Sequence, residues 1–289
     1  MSKGWLIALR PRAYPATIAP VLLGSALAYS NGAFNPLVLF LALICAMLMQ
    51  TGSNFINDIY DFRKGADNEN RLGAQKVLTS GLLTEKDLKR GAIFVLTTAF
   101  LLGLILVWIG GWIIFAIGVS SIFFAWAYTG GPFPLAYRAL GDVTVILFYG
   151  IAAVSGTFYL HHSKFSLEAL IIGLAAGFLA SNILGVNNTR DIPTDKAVGK
   201  ITLSLLLGEN GAPWLYTGQL ILAFIVPIYL YKNGYSIWVL LPYLSFPLAL
   251  KCISEIHTKK GKELNPTLAK TAVLLMLYGL LQSIGLIFT

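Results

Sequence analysis

Charge is scarce in this chain of 289 residues. Asp, Glu, Lys and Arg make up 12% of it, hydrophobic residues 56%, and the mean hydropathy is +0.73. Soluble domains carry about 25% charged residues, so an ordinary water-facing globular chain is excluded. Residues 13–57 and 91–137 contain no Asp, Glu, Lys or Arg at all. Cysteine is scarce too: Cys45 and Cys252 stand alone in or at the end of apolar runs, which excludes a disulfide framework and a Cys/His zinc centre. His161 and His162 close an apolar run as interfacial polar residues, and His257 stands alone in a basic segment. Short alternating segments are missing, which argues against a membrane barrel. No Gly-x-x-x-x-Gly-Lys-Ser/Thr loop occurs, so a P-loop nucleotide site is not indicated.

What is present is lipid-seeking helix. A bilayer core takes about 20 apolar residues per helix, and each charge-free run is long enough for two, with turn signals at "SNGAFNP" and "GGW". Further spans are expected near residues 143–160, 169–188, 213–231, 236–250 and 271–289, an all-α integral membrane protein of nine transmembrane helices. With the N-terminus cytoplasmic, all 21 basic residues except Lys164 and Lys232 fall on one side, as the positive-inside rule requires. This asymmetry also accounts for the net charge of +8 without nucleic acid as a partner. The opening segment has a basic start and an Ala26-Leu27-Ala28 sequence like a cleavage site, but Pro11, Pro15 and Pro20 punctuate it. It reads as a retained first membrane helix.

The acidic residues carry the functional information. Of 13, only Glu168 is expected outside. Asn54, Asp58 and Asp61, spaced i, i+4, i+7, stack on one face at the end of the second span. "NNTRDIPTDKAVGK" closes the sixth span with Asn187, Asp191 and Asp195, and Pro193 should place Asp195 and Lys200 on a turn beyond the helix. Asn54/Asp58 and Asn187/Asp191 share Asn-x-x-x-Asp, and an even number of helices between them brings both to one membrane face, as a duplicated unit would. Asp and Asn are common at helix ends, but two matched clusters in an acid-poor membrane protein mark a site. Clustered carboxylates need cations. Mg²⁺ takes carboxylates, waters and substrate phosphates, and Arg63, Lys64, Arg71, Lys76, Arg190 and Lys200 are interleaved with them. A diphosphate ester of a long isoprenoid fits: its head needs Mg²⁺ and cations, its tail needs lipid.

Five stretches in order resemble the UbiA superfamily of intramembrane prenyltransferases: "RPRAYPATIAPVLLG", "NDIYDFRKGAD", "SGLLT", "YTGGPFPLAY" and "NNTRDIPTDKAVGKITL". The likeness is greatest to the 1,4-dihydroxy-2-naphthoate polyprenyltransferases of menaquinone or phylloquinone synthesis and covers nearly the whole chain, implying one domain over residues 1–289 and a helical bundle around a central cavity. The broad superfamily writes its first motif Asn-Asp-x-x-Asp-x-x-x-Asp; here Gly65 takes the last position and Asp67 follows, a variant associated with the naphthoate branch.

The resemblance implies Mg²⁺ on Asp58, Asp61, Asp191 and Asp195, with Asn54, Asn187 and Asp67 as further ligands and Asn57 and Asn188 beside the substrate. Arg63, Arg71, Lys76, Arg190 and Lys200 become the diphosphate clamps. Tyr128 and Tyr149, with Tyr60, become faces for an allylic cation, and Arg12 or Arg138 holds an acceptor carboxylate lost as CO₂. The implied partners are an allylic polyprenyl or phytyl diphosphate, an aromatic acceptor and membrane lipid, in a plasma (inner) membrane or a thylakoid. Other acceptors (4-hydroxybenzoate, homogentisate, haem, chlorophyllide or a lipid) are the near alternative. A cation transporter is the distant one, since it requires ionisable groups near mid-bilayer.

Overall fold

The computed structural model describes residues 3–67, 72–74 and 76–289. Among these there is no named strand; the only β feature is one isolated bridge between Arg138 and Ile201. A short α1 (Lys3–Leu9) turns at Arg10, whose backbone is left-handed, into α2 (Pro15–Ser30), started by a proline at its first position. α3 (Pro36–Arg63) is capped by Asn35, whose side chain accepts from the Leu37 amide. Its end falls at Gly65, with φ +71°, a left-handed turn that glycine takes without strain. Glycine at this motif position therefore suits the turn that ends α3.

α4 (Glu85–Ala127) opens on a reciprocal Thr84–Asp87 capping box and is broken at Gly111, φ +67°, into two limbs. The break coincides with the "GGW" turn signal, and Trp108 and Trp112 flank it, 92% and 78% exposed. α5 (Gly141–His162) carries a π-helical turn over Ile146–Ala152, and α6 (Leu167–Arg190) is capped by Ser166. Pro193 does not end the helical path: it sits in the first turn of a short α7 (Ile192–Ala197), where a missing N–H costs nothing. α8 (Leu203–Lys232) bends at Gly208, α9 (Ile237–Thr258) begins as a 3-10 turn, and α10 (Asn265–Ile287) closes the bundle.

Seven helices among the described residues, α3 to α6 and α8 to α10, are long and apolar enough to cross a membrane, and α2 is a shorter apolar helix. The chain is a multi-pass membrane protein. Its outer faces expose large apolar residues such as Phe94, Leu101, Trp214 and Ile221, while the packed centre mixes large side chains such as Leu23, Phe158 and Tyr278 with alanines such as Ala175, Ala176 and Ala223. Without a hydrophobic drive between helices in lipid, close backbone approach supplies the packing. At one tight crossing, a Cβ on Gly150 of α5 would collide with the Gly173 carbonyl oxygen and lie 2.5 Å from Gly177 Cα of α6. Gly150→Ala is therefore expected to destabilise the fold by roughly 1–3 kcal/mol, read as a lowered Tm of the detergent-purified protein; an unchanged Tm would show that the crossing relaxes freely.

Candidate active site at one end of the helical bundle

A cavity of about 910 Å³ opens between α2, α3, α4, α5, α6 and α10. Its polar wall comes from helix ends and the segments between them: Arg10, Asp61, Lys76, Arg190, Asp191 and Lys200. Its apolar wall lies deeper, where Met49, Ile117, Phe124 and Phe148 line it. Met49 is twelve residues above Asp61 on α3, about 18 Å along the axis at 1.5 Å per residue. One end is thus charged and the other is hydrocarbon.

On α3, the lining residues include Gln50, Asn54, Asn57 and Asp61. Asp58 is displaced from Asn57 by about 100° of helix rotation; it is buried and is not among the lining residues described. Two cavity-lining cations, Arg10 and Lys76, both pair with its carboxylate, and Lys76 also reaches Asp67 at 3.4 Å. Asp58 and Asp67 thus hold cations at the wall. Asn54 is committed to its neighbours, accepting from Gln50 at 3.0 Å and donating to the Leu9 carbonyl at 3.3 Å. Asn57 accepts from the Thr129 hydroxyl at 2.8 Å.

The second cluster sits opposite. Arg190, buried, donates to both oxygens of Asp191 at 2.8 and 2.6 Å, to Asn187 at 2.6 Å and to Asn265 at 2.8 Å. Gly73 leaves room for it: a Cβ there would lie 2.5 Å from an Arg190 nitrogen. Asp195, on α7, is paired through one oxygen with Lys200 at 3.3 Å, and its other oxygen is buried without a hydrogen-bond partner. Burial pushes its carboxyl up to about 6, with Lys200 pulling the other way. Asn188 also lines the cavity. The structure pairs Asn57/Asp61 with Asn187/Asp191 as lining Asn-x-x-x-Asp sets, a register three residues on from Asn54/Asp58. Each cluster is followed by a left-handed glycine, Gly65 and Gly199.

Tyr137 joins the two clusters. Its hydroxyl donates to Asp61 at 2.8 Å, Lys64 lies 4.1 Å and Lys200 5.7 Å from its ring centroid, and its carbonyl accepts from the Ile201 amide at 3.3 Å. Tyr128 and Tyr149 line the cavity, the latter carried by the π-helical turn. Burial first, then Asp142, Tyr149, Asp61 and Asp195 around it, push the Tyr128 phenol well above its usual range.

Not every expected residue reaches the cavity. Arg12 does, but Arg138 stacks on Phe133 at 4.1 Å, and Arg63 points outward to Glu85 at 2.7 Å. The Tyr60 hydroxyl accepts from Trp126 at 3.2 Å, and Arg71 lies outside the described residues. Sequence reasoning missed Arg10, Tyr137 and Asp142. The first two lie inside the quoted stretches "RPRAYPATIAPVLLG" and "YTGGPFPLAY", and Asp142 is one of only 13 acids, at the start of a span. The scarcity that singled out the other carboxylates applied to it equally.

No three of His, Cys, Asp and Glu meet as a ready-made metal centre among the described residues. The donor set nevertheless fits Mg²⁺. Asp61, Asp191 and Asp195 face one cavity from two sides, and the unpartnered buried oxygen of Asp195 asks for a cation. Phosphate oxygens and water, which Mg²⁺ ordinarily keeps, would complete such a site.

The model of the UbiA prenyltransferase family matches residues 17–278. A 1,4-dihydroxy-2-naphthoate octaprenyltransferase of Escherichia coli is 34% identical over 99% of this chain and 95% of its own. One of Haemophilus influenzae is 33% identical over 99% and 96%. Among solved structures, a UbiA homologue from Archaeoglobus fulgidus bound to DMAPP and Mg²⁺ superposes with a TM-score of 0.65 at 16% identity, covering 98% of this chain and 100% of that one. By sequence and by fold, the chain belongs to the UbiA prenyltransferase family.

Proposed function

We propose that this protein is a Mg²⁺-dependent intramembrane prenyltransferase that moves a polyprenyl or phytyl group from an allylic diphosphate to 1,4-dihydroxy-2-naphthoate, with loss of CO₂. The observation that carries the reading is the polarised cavity: carboxylates and cations from two helix ends at one side, hydrocarbon at the other. The full-length likeness to relatives named 1,4-dihydroxy-2-naphthoate octaprenyltransferase supports the choice of acceptor over the other acceptors of the family. Ionisable side chains gathered at one end, with apolar side chains deeper, disfavour the transporter reading.

In this reading Asp61, Asp191 and Asp195 hold Mg²⁺, with Asn57 and Asn187 beside them. When bound, the ion would supply Lewis-acid neutralisation of the charge that develops on the departing diphosphate. Arg10, Lys76 and Lys200 complete the anion's surroundings. Asp58 and Asp67 position the first two by ion pairing. Arg190 keeps Asp191 and Asn187 in place. The faces of Tyr128, Tyr149, Phe124 and Phe148 shelter an allylic cation from water in the deeper wall, and Arg12, on the same cavity, suits the acceptor's carboxylate. The membrane reading counts nine spans by taking the two limbs of α4 separately and adding α2, with the N-terminus and the charged loops cytoplasmic.

Purified protein supplied with Mg²⁺, an allylic polyprenyl diphosphate and 1,4-dihydroxy-2-naphthoate should release CO₂ in step with prenylated product and stop on chelation. Prenylated 4-hydroxybenzoate without CO₂ would overturn the acceptor. Asp61→Asn and Asp195→Asn should each lower kcat by about 10²-fold or more while the folded protein remains in the membrane; normal turnover in either would remove that residue from the metal site. Tyr137→Phe keeps the ring between Lys64 and Lys200 but deletes the bond to Asp61. A loss of about tenfold, the worth of one hydrogen bond to a charged group, is expected in kcat/KM for the allylic diphosphate, and no change would make Tyr137 a packing residue only.

A further inference from the structure

Asp142 lies in the first turn of α5, buried, yet it lines the cavity. One of its oxygens accepts from the Ser181 hydroxyl at 3.0 Å, and the Ser181 oxygen in turn accepts from the Gln219 amide at 3.3 Å. This chain of donors across α5, α6 and α8 fixes the carboxyl group. The second oxygen is buried and finds no hydrogen-bond partner. A buried polar atom left this way costs about 1–3 kcal/mol, so its position makes sense if a ligand satisfies it. The Tyr128 hydroxyl packs 3.2 Å from where a Cβ on the neighbouring Gly141 would lie, and the Tyr128 phenol lies within the electrostatic reach of Asp142, Asp61 and Asp195.

A carboxylate oxygen is satisfied by a cation or by a hydrogen-bond donor; Ser181 already meets Asp142 with a hydroxyl, and a second donor from a ligand completes the group in the same way. An allylic diphosphate has none: its tail is hydrocarbon and its head is an ionised acceptor that a carboxylate repels. Only the aromatic acceptor carries O–H groups. We infer that Asp142 accepts a hydrogen bond from a ring hydroxyl of the acceptor and so fixes that ring in the cavity, a role that rests on the prenyl-transfer reading above. Ser181 and Gln219 are positioning residues behind it. The bond requires a hydroxylated ring, so it also selects against naphthoates that lack the hydroxyl.

The test is a cycle between protein and ligand. 1-Hydroxy-2-naphthoate and 4-hydroxy-2-naphthoate each lack one hydroxyl. Their inhibition constants in competition with 1,4-dihydroxy-2-naphthoate report binding apart from ring reactivity. In the native protein, the analogue lacking the bonded hydroxyl should bind at least about tenfold more weakly than the one retaining it. In Asp142→Ala this difference should vanish, while KM for the allylic diphosphate and the Mg²⁺ concentration for half-activity stay within about twofold. Asp142→Asn, which keeps the shape and an acceptor oxygen, should retain part of the discrimination and serves if the alanine variant does not fold. An undiminished difference between the analogues in a folded variant overturns the assignment, and so does a raised Mg²⁺ requirement, which would make Asp142 a metal ligand. If the native protein does not prenylate 1,4-dihydroxy-2-naphthoate at all, the functional reading fails first, and the two failures are distinct.

Discussion

A charge at the edge of hydrocarbon must be matched by another charge, and the architecture of this protein follows from that rule. Placing carboxylates where a bilayer begins costs several kcal/mol apiece unless cations or hydrogen bonds meet them. The helix ends answer with a set of close pairings: Arg10 and Lys76 on Asp58, Arg190 on Asp191, Lys200 on Asp195. Arg190–Asp191 and Lys200–Asp195 are local pairs, whereas Arg10 and Lys76 reach Asp58 from 48 and 18 residues away and so also fasten separate segments to the end of α3. The charged wall and the assembly of the bundle are one structural problem, solved together.

The same pairings separate two kinds of acid. Asp58 and Asp67 orient cations; Asp61 and Asp195 turn toward open volume. A single turn of α3 therefore carries both a residue that holds the wall and one that faces the cavity, set apart by helix rotation alone. Tyr137 adds the crosswise tie, its ring between Lys64 and Lys200 and its hydroxyl on Asp61. Two regions far apart in sequence become one charged surface.

Much of this was legible in the sequence because apolar run length and acid scarcity are strong physical signals. The spans over α3, α5, α6 and α8 follow from composition, and the break at Gly111 follows from "GGW". The seven long helices and the shorter α2 agree with a many-span bundle, while counting α4 once or twice depends on a backbone torsion that composition does not encode. The i, i+4, i+7 spacing put Asn54, Asp58 and Asp61 on one stripe but left open which edge of that stripe meets the cavity. Packing against α1 and α4 decides it. Arg63 and Arg138 illustrate the remaining gap: a basic residue beside a motif resembles a diphosphate clamp or a carboxylate holder in sequence, yet a nearby Glu85 or Phe133 captures it first. Pro193 marked a boundary correctly, but the chain resumed as helix because proline is welcome in a first turn.

A second apolar space lies beside the apolar side of the cavity. A groove of about 180 Å³ between α3, α4 and α5 shares Ala46, Met49, Ile117 and Ser121 with the main cavity, and it reaches Phe100, Leu104 and Val119, which are exposed on the outside of the bundle. A compartment continuous with such a groove would be no ruler. Isoprene units beyond those held inside would then continue into surrounding lipid, where they meet the same solvent they left, and the protein would have little thermodynamic means of rejecting a longer chain. Product length would then be dictated upstream, by whichever enzyme elongates the diphosphate, and the finished quinol precursor would leave sideways, already dissolved in the phase where it is used.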